Sequence, residues 1–293
     1  MTITHWKIAN AQTAGRGHLK SNIPCQDYTY SMQENGLTIL LLADGAGYAK
    51  HSHKGAEAVV KKTASLLADH FDEYFTAEDD DQLKRVIIRE LHEEIKMIEG
   101  FEGDIKQYAS TLLFIAIKGD QYVAGHIGDG LIGKEQDGEL KVFSFPENGQ
   151  FVNTTFFVTS EDAWKHFRLY KGLVGTAAGF VLMSDGTAES LFNKKEERLA
   201  PAITRMFEWL RDHPSQKISA VLANNLDAVI KEQTHDDCSI AIASLVTLDP
   251  EVLLAADNEY LRDFMGTHSR LPDERKPSNP ELGQEIADGA PSE

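Results

Sequence analysis

Five short aspartate motifs carry residues that could do chemistry together: Gln26-Asp27, Asp44-Gly45-Ala46-Gly47, Gly128-Asp129-Gly130, Ser184-Asp185-Gly186 and Asp236-Asp237. Three of them follow apolar runs that read as buried strands, over 38–43, 122–127 and 179–183. The last precedes such a run, 239–246. A carboxylate at a strand end, often followed by glycine, sits where the backbone turns and the side chain faces solvent or a ligand. One such aspartate marks a turn. Five of them suggest convergence on a single oxygen-rich site. Hard divalent cations such as Mg²⁺ and Mn²⁺ take oxygen donors of this kind. The chain lacks the Cys/His spacing of a zinc site, and His51-Ser52-His53 reads as a loop leading into a helix.

Such a site needs rigid elements behind it. Helical spacing of apolar residues predicts helices over 55–71 and 82–98. A hairpin follows, with strands 111–117 and 122–127 around Lys118-Gly119-Asp120. A strand over 140–145 comes after the Asp137-Gly138 turn, and helices near 199–212 and 217–233 precede the final strand. Strands and helices are segregated in runs, which predicts an α+β chain rather than alternating βαβ units. A four-layer α-β-β-α sandwich, two antiparallel sheets flanked by helix pairs, accounts for the order.

The bulk composition narrows the partners. A net charge of -17 disfavours nucleic acid and anionic membranes. It also means that a phosphorylated substrate would need local positive charge, which bound metal would supply. No apolar stretch is long enough for a secretory leader or a membrane span. Two cysteines, Cys25 and Cys238, are too few for a disulfide scaffold and fit a reducing, cytoplasmic setting. Each lies within two residues of a motif aspartate, and both read as small buried apolar residues. Residues 1–248 read as one catalytic domain. Residues 249–293 hold five of the nine prolines and read as an acidic tail, mostly disordered, with an amphipathic piece over 252–264.

Taken in order, these motifs resemble the metal-dependent serine/threonine phosphatases of the protein phosphatase 2C type, in their bacterial branch. The matching residues are Gln26-Asp27, Asp44-Gly45-Ala46-Gly47, Ser110-Thr111, Gly128-Asp129, Ser184-Asp185-Gly186 and Asp236-Asp237, over about residues 8–246. The stretches 17–27 and 153–159 carry the bacterial flavour. The resemblance implies that Asp44 bridges two Mg²⁺ or Mn²⁺ ions, with the Gly45 carbonyl on one of them. Asp185 and Asp236 would hold the other, and Asp129 with Asp185 would offer a third, weaker position. Asp27 would hold a metal-bound water, with Gln26 and Asp237 behind the ligands. A hydroxide bridging the ions would attack phosphorus in line, with no covalent intermediate.

This chain departs from the family at four points. Gln26 stands where many relatives carry Glu, a bacterial variant that can still orient a water. Ala46 stands where animal-type members carry a proposed general-acid histidine. No arginine precedes Gln26 at the family's phosphate-binding position, so His18 and Lys20 become the candidates, with Arg16 further back. His18 is the first choice for touching phosphate or donating a proton. Asp237 replaces the asparagine of the family's closing Asp-Asn. Ser110 and Thr111 read as shaping a strand start, since no base is paired with them. The tryptophans Trp6, Trp164 and Trp209 read as core or flap anchors. Residues 147–175, with Asp162, Trp164, His166, Phe167, Arg168 and Tyr170, lie where the family inserts a flap, and read equally as a peptide-contacting edge or a packed surface loop.

The expected activity is hydrolysis of phosphoserine and phosphothreonine on proteins, by a monomer opposite a cognate kinase. Two alternatives stand beside it: a metal-binding regulatory module that holds a phosphorylated partner, and a hydrolase of small phosphate esters.

Overall fold

The computed structural model describes residues 3–147 and 155–248. The acidic tail and residues 153–154 of the 153–159 stretch therefore lie outside the described residues.

Two five-stranded antiparallel sheets form the centre. The first contains β1 (Ile3–Thr13), β6 (Leu131–Gln136), β7 (Glu139–Ser144), β9 (Ala177–Met183) and β12 (Cys238–Leu248), in the order β1-β12-β9-β6-β7. The second runs β2 (Tyr28–Glu34), β3 (Leu37–Ala43), β4 (Leu112–Lys118), β5 (Gln121–Ile127) and β8 (Arg168–Leu173), in that order. Helices α2 (Ser52–Thr76) and α3 (Asp80–Lys96) cover the second sheet. Helices α6 (Ala202–Asp212) and α7 (Ser215–Asn225) cover the first. Three short helices, α1 (Arg16–Ser21), α4 (Ala163–His166) and α5 (Asp185–Leu191), and the small β10–β11 hairpin (Phe192–Asn193 with Arg198–Leu199) complete the described chain. The α-β-β-α sandwich is thus the observed fold.

Strand β3 shows why its sequence is apolar throughout. Its alternate side chains enter two different cores, a pattern required when both faces of a sheet are covered. Leu40 and Leu42 point between the sheets, with Leu113, Ile115, Ile132, Phe180 and Leu182. Ile39 and Leu41 point the other way, onto Val59, Leu67, Ile87 and Leu91 of the helix pair. On the opposite side, Val181, Met183, Ile240 and Ile242 pack under Ile203, Phe207, Ile218 and Leu222. Three apolar layers, each contributing about 25 cal/mol per Å² of buried apolar surface, hold the four structural layers together.

Several elements differ from their sequence patterns. Helix α2 begins at Ser52 and reaches Thr76, although His70 has non-helical angles (φ -128°, ψ 16°). The buried face continues in phase across this kink, through Leu67, Phe71 and Tyr74. The predicted helix over 217–233 is α7 followed by a wider turn at Leu226–Ile230 and a tighter one at Lys231–Gln233. Residues 155–175 are packed rather than projecting: Phe167 is fully buried against Phe114, and β8 pairs with β5 from Gln121↔Leu173 to His126↔Arg168. Trp6 is a core anchor against Phe180, and Trp164 lies under the Arg85 guanidinium at 3.2 Å. Trp209 is not an anchor; it is 41% exposed on α6.

Candidate active site

Strand direction places the five motifs at one end of the sandwich. Tyr28 pairs with Ala43, so Asp27 enters β2 where Asp44 leaves β3. Leu42 pairs with Leu113 and Leu112 with Ile127, which brings the end of β5, and Asp129 after it, to the same edge. In the other sheet Met183 pairs with Ile240, so Asp185 leaves β9 where Asp236 and Asp237 enter β12. Gly128-Asp129-Gly130 is the crossover that carries the chain from one sheet to the other, because β5 belongs to one and β6 to the other.

The convergence is close. Carboxylate oxygens of Asp44, Asp129 and Asp185 all lie within 4.8 Å of one another. Asp236 is not part of that group and is exposed at the rim, yet its charge acts on both Asp44 and Asp185. The backbone fixes Asp44 on both sides. Its carbonyl accepts from Thr111 N at 2.8 Å, and its N–H donates to Thr111 Oγ1 at 2.9 Å. Gly45 bridges Ser110, and its N–H donates to the Gln26 carbonyl at 3.1 Å. Ser110 and Thr111 therefore shape the Asp44 turn, as their sequence context predicts.

Asp237 organises the opposite side. Its Oδ1 accepts from Gly15 N at 2.6 Å, and its Oδ2 accepts from Gln26 N at 2.5 Å. His18 Nδ1 lies 2.9 Å from Oδ1. One buried carboxylate thus ties together the N-terminal segment, the start of β2 and the start of β12. Two glycines let those backbones meet. A Cβ on Gly15 would stand 2.2 Å from the Asp236 carbonyl oxygen, and one on Gly186 would stand 2.2 Å from that of Asp237.

Charge is concentrated to a degree that ordinary carboxylates do not tolerate alone. Burial holds the Asp27 carboxyl well above its usual range, and the Asp237 charge adds to it; the Ser184 and Ser239 hydroxyls oppose the shift. Neither Asp27 oxygen closes a hydrogen bond of good geometry. Burial likewise holds Asp44 well above the usual range, helped by the charges of Asp27, Asp185 and Asp236. Asp185 is pushed up to about 7 by burial and by Asp129 and Asp236. Although part of its surface is exposed, the protein packed around Asp236 raises it, as does the Asp237 charge; its bond from Asp237 N and His18 lower it. Three carboxylates within 4.8 Å of one another, with the buried Asp27 carboxylate acting on Asp44 by its charge, are a donor set that a hard cation fills: bound positive charge would remove the repulsion that raises these groups.

The remaining candidates divide. Gln26 is buried with its side-chain Oε1 lacking a partner. His18 reaches the rim on α1 and is committed to Asp237. Lys20 is exposed on the same short helix, with no ion pair to the carboxylates among the described residues. Arg16 Nε donates instead to the Thr234 carbonyl at 3.1 Å. His51 stacks on Tyr108 and faces Glu102 at 3.2 Å, and is not part of the carboxylate cluster. Cys238 is buried and Cys25 partly so. Burial pushes the Cys238 thiol up to about 12 and the Cys25 thiol higher, so neither is a ready thiolate. Three residues to which the sequence assigned no role also appear: Ser239 and Ser184 beside Asp27, and Thr155, whose hydroxyl donates to Asp129 Oδ2. Buried hydroxyls next to motif aspartates were the available signal for the two serines.

An α-β-β-α sandwich with a carboxylate cluster at one end of both sheets defines a class of hydrolases that work with hard divalent metals. The protein phosphatase 2C family model matches residues 14–227, more than half of the chain. The chain belongs to the protein phosphatase 2C family, the metal-dependent serine/threonine protein phosphatases. It is 23% identical over 248 residues to serine/threonine-protein phosphatase 3 of Escherichia coli (strain K12), covering 81% of this chain and 98% of that one. A bacterial serine phosphatase crystal structure superposes with a TM-score of 0.57 at 14% identity, covering 82% of this chain and 98% of the other. The catalytic domain of the phosphatase PstP, solved with two manganese ions, superposes with a TM-score of 0.56 at 18% identity, covering 84% and 100%. Among the described residues no helix is long and apolar enough to cross a membrane.

Proposed function

We propose that this chain removes phosphate from phosphoserine and phosphothreonine on proteins, using two or three Mg²⁺ or Mn²⁺ ions held by Asp44, the Gly45 carbonyl, Asp129, Asp185 and Asp236. The single observation that carries the reading is the meeting of Asp44, Asp129 and Asp185 within 4.8 Å, from three separate strand ends. Bound divalent ions would supply an activated water and polarise the phosphoryl oxygens, several kcal/mol of charge stabilisation in such sites.

The chain's own residues do the rest. Thr111 fixes Asp44 through two backbone-directed bonds, so its carboxylate needs no reorganisation on binding. Asp27, buried beside the Ser184 and Ser239 hydroxyls with neither oxygen closing a bond of good geometry, is placed to accept hydrogen bonds from a water inside the site. His18, whose Nδ1 lies 2.9 Å from Asp237 Oδ1, is our candidate for touching the phosphate or protonating the leaving group. Lys20, exposed two residues on, is the second candidate for phosphate contact. We place the enzyme in the cytoplasm as a monomer, opposite a serine/threonine kinase. A net charge of -17 and two thiols without a disulfide support that placement.

The test is phosphate release from a phosphothreonine peptide with Mn²⁺, with Mg²⁺ and with chelator, for wild type and Asp185→Asn. Metal-dependent release that disappears in the variant is the expected result. Metal binding without turnover would shift the reading to a regulatory module that holds a phosphorylated partner.

A further inference from the structure

Asp129 differs from the other clustered aspartates in how it is held. It lies on the crossover between the sheets, outside any strand. The glycine before it has φ +118°, a backbone position that a side chain would resist. What restrains this crossover comes from residues 147 and 155–168.

Glu147 N–H donates to the Gly128 carbonyl at 3.0 Å. The Glu147 carboxylate faces two nitrogens, Arg168 Nε at 3.4 Å and the imidazole Nδ1 of His166 at 3.6 Å. Arg168 is itself fixed, since its Nη1 donates to the Phe145 carbonyl at 2.6 Å and its strand pairs with His126 of β5. The His166 ring stacks on Phe156 with centroids 3.4 Å apart and planes at 10°. Next to Phe156, Thr155 donates its hydroxyl to Asp129 Oδ2. Two residues on, Val158 N–H donates to the Ser110 carbonyl at 2.8 Å, and Ser110 bridges Gly45. His166 therefore links both approaches to Asp129: Glu147, which grips the backbone before it, and the 155–156 segment, which grips its carboxylate.

We propose that Glu147, His166 and Thr155 are positioning residues that hold Asp129 toward Asp44 and Asp185, and so set the affinity of the metal position that Asp129 completes. The inference rests on the reading of Asp129 as a metal ligand. Groups that orient a ligating carboxylate typically change metal affinity about 10–100-fold when lost, without touching the ion. A packed surface loop with the same contacts would affect stability instead.

The experiment is calorimetric titration of Mn²⁺ into the metal-free full-length chain, with the melting temperature of each metal-free variant measured alongside. Thr155→Val removes the hydroxyl that bonds Asp129, and Thr155→Ser keeps it. Glu147→Gln keeps the backbone bond to Gly128 and removes the charge that gathers Arg168 and His166. The expected result is an approximately tenfold loss of affinity at the weakest Mn²⁺ position in Thr155→Val and Glu147→Gln, with the tighter positions unchanged. Thr155→Ser should titrate as wild type. Should Glu147→Gln fail to fold, the Thr155 pair decides alone. Wild-type isotherms for Thr155→Val and Glu147→Gln, with the weakest position lost in Asp129→Asn, would overturn the positioning role and leave the metal reading standing. An unchanged isotherm in Asp129→Asn would remove Asp129 from the metal site, and the positioning role with it.

Discussion

Asp44 and Asp236 face the same site from opposite sheets, and they are held by opposite means. Asp44 ends a strand whose neighbours on both sides are paired, and its own N–H and carbonyl bond to Thr111. Asp236 stands in a loop before β12, exposed at the rim, and its support is the buried side chain of the next residue. One carboxylate is placed by main-chain pairing, which almost any sequence can provide. The other depends on a single carboxylate, Asp237, that accepts from two backbone N–H groups and faces His18. The two sides of the site should therefore fail differently.

The largest effect comes from removing a proposed ligand. Asp44→Asn should lower phosphate release about a thousandfold, several kcal/mol of lost stabilisation, with the fold intact by circular dichroism. Retained turnover would show that the backbone-held side is not where the chemistry sits. Next, Asp237→Ala should destabilise the chain by about 3–5 kcal/mol in urea unfolding, because it strands two buried donors and a facing imidazole. A loss below about 1 kcal/mol would mean that water replaces the carboxylate and the loop stands by itself.

A pH experiment sharpens the contrast without changing the loops. In chelator, folded Asp185 holds its proton up to about 7, against 3.8 ordinarily. Within that window the folded state binds a proton that the unfolded state has released. The stability from this group is full below 3.8 and is lost as pH rises through about 7. Wild type minus Asp185→Asn, compared by melting temperature in chelator, should decline from pH 4 to pH 8. A flat difference would show that the carboxylates are too well solvated to repel one another. The smallest effect belongs to the main-chain side. Thr111→Val loses one acceptor while Thr111 N–H still bonds the Asp44 carbonyl, so the cost should be about 1 kcal/mol by urea unfolding. A loss equal to that of Asp237→Ala would erase the distinction between the two sides.

The sandwich and the five motifs were legible because strand ends announce themselves. Unbroken apolar runs such as 38–43 must be buried on both faces, and Asp-Gly after them marks the exit. Less legible were the elements whose pattern is mixed. Strand β8, Arg168–Leu173, is an edge strand of intermediate burial, so it lacks the alternation that betrays a half-buried strand. The full extent of α2, to Thr76, was also missed, although its buried face keeps helical spacing through Phe71 and Tyr74. Within the site, residue types showed which groups could meet but not which would be spent on each other. His18 looked free for phosphate and is found beside Asp237. Asp237 looked like a local hydrogen-bonding residue and joins three segments far apart in sequence. The role of Thr155 depends on a partner 26 positions away, a pairing that no local pattern records.

The pairing of β1 with β12, from Ile3↔Leu248 to Thr13↔Cys238, has a consequence for how the protein is made in a cell. The strand that completes the first sheet, lying between β1 and β9, is the one the ribosome delivers latest of all the strands described. At about 5–20 residues per second, β1 waits on the order of tens of seconds for its only neighbour in the sheet. Asp236 and Asp237 arrive with that same strand. A nascent chain carrying every earlier motif would still lack these two carboxylates, so the site can be assembled only once that strand has been made, in one step rather than piece by piece.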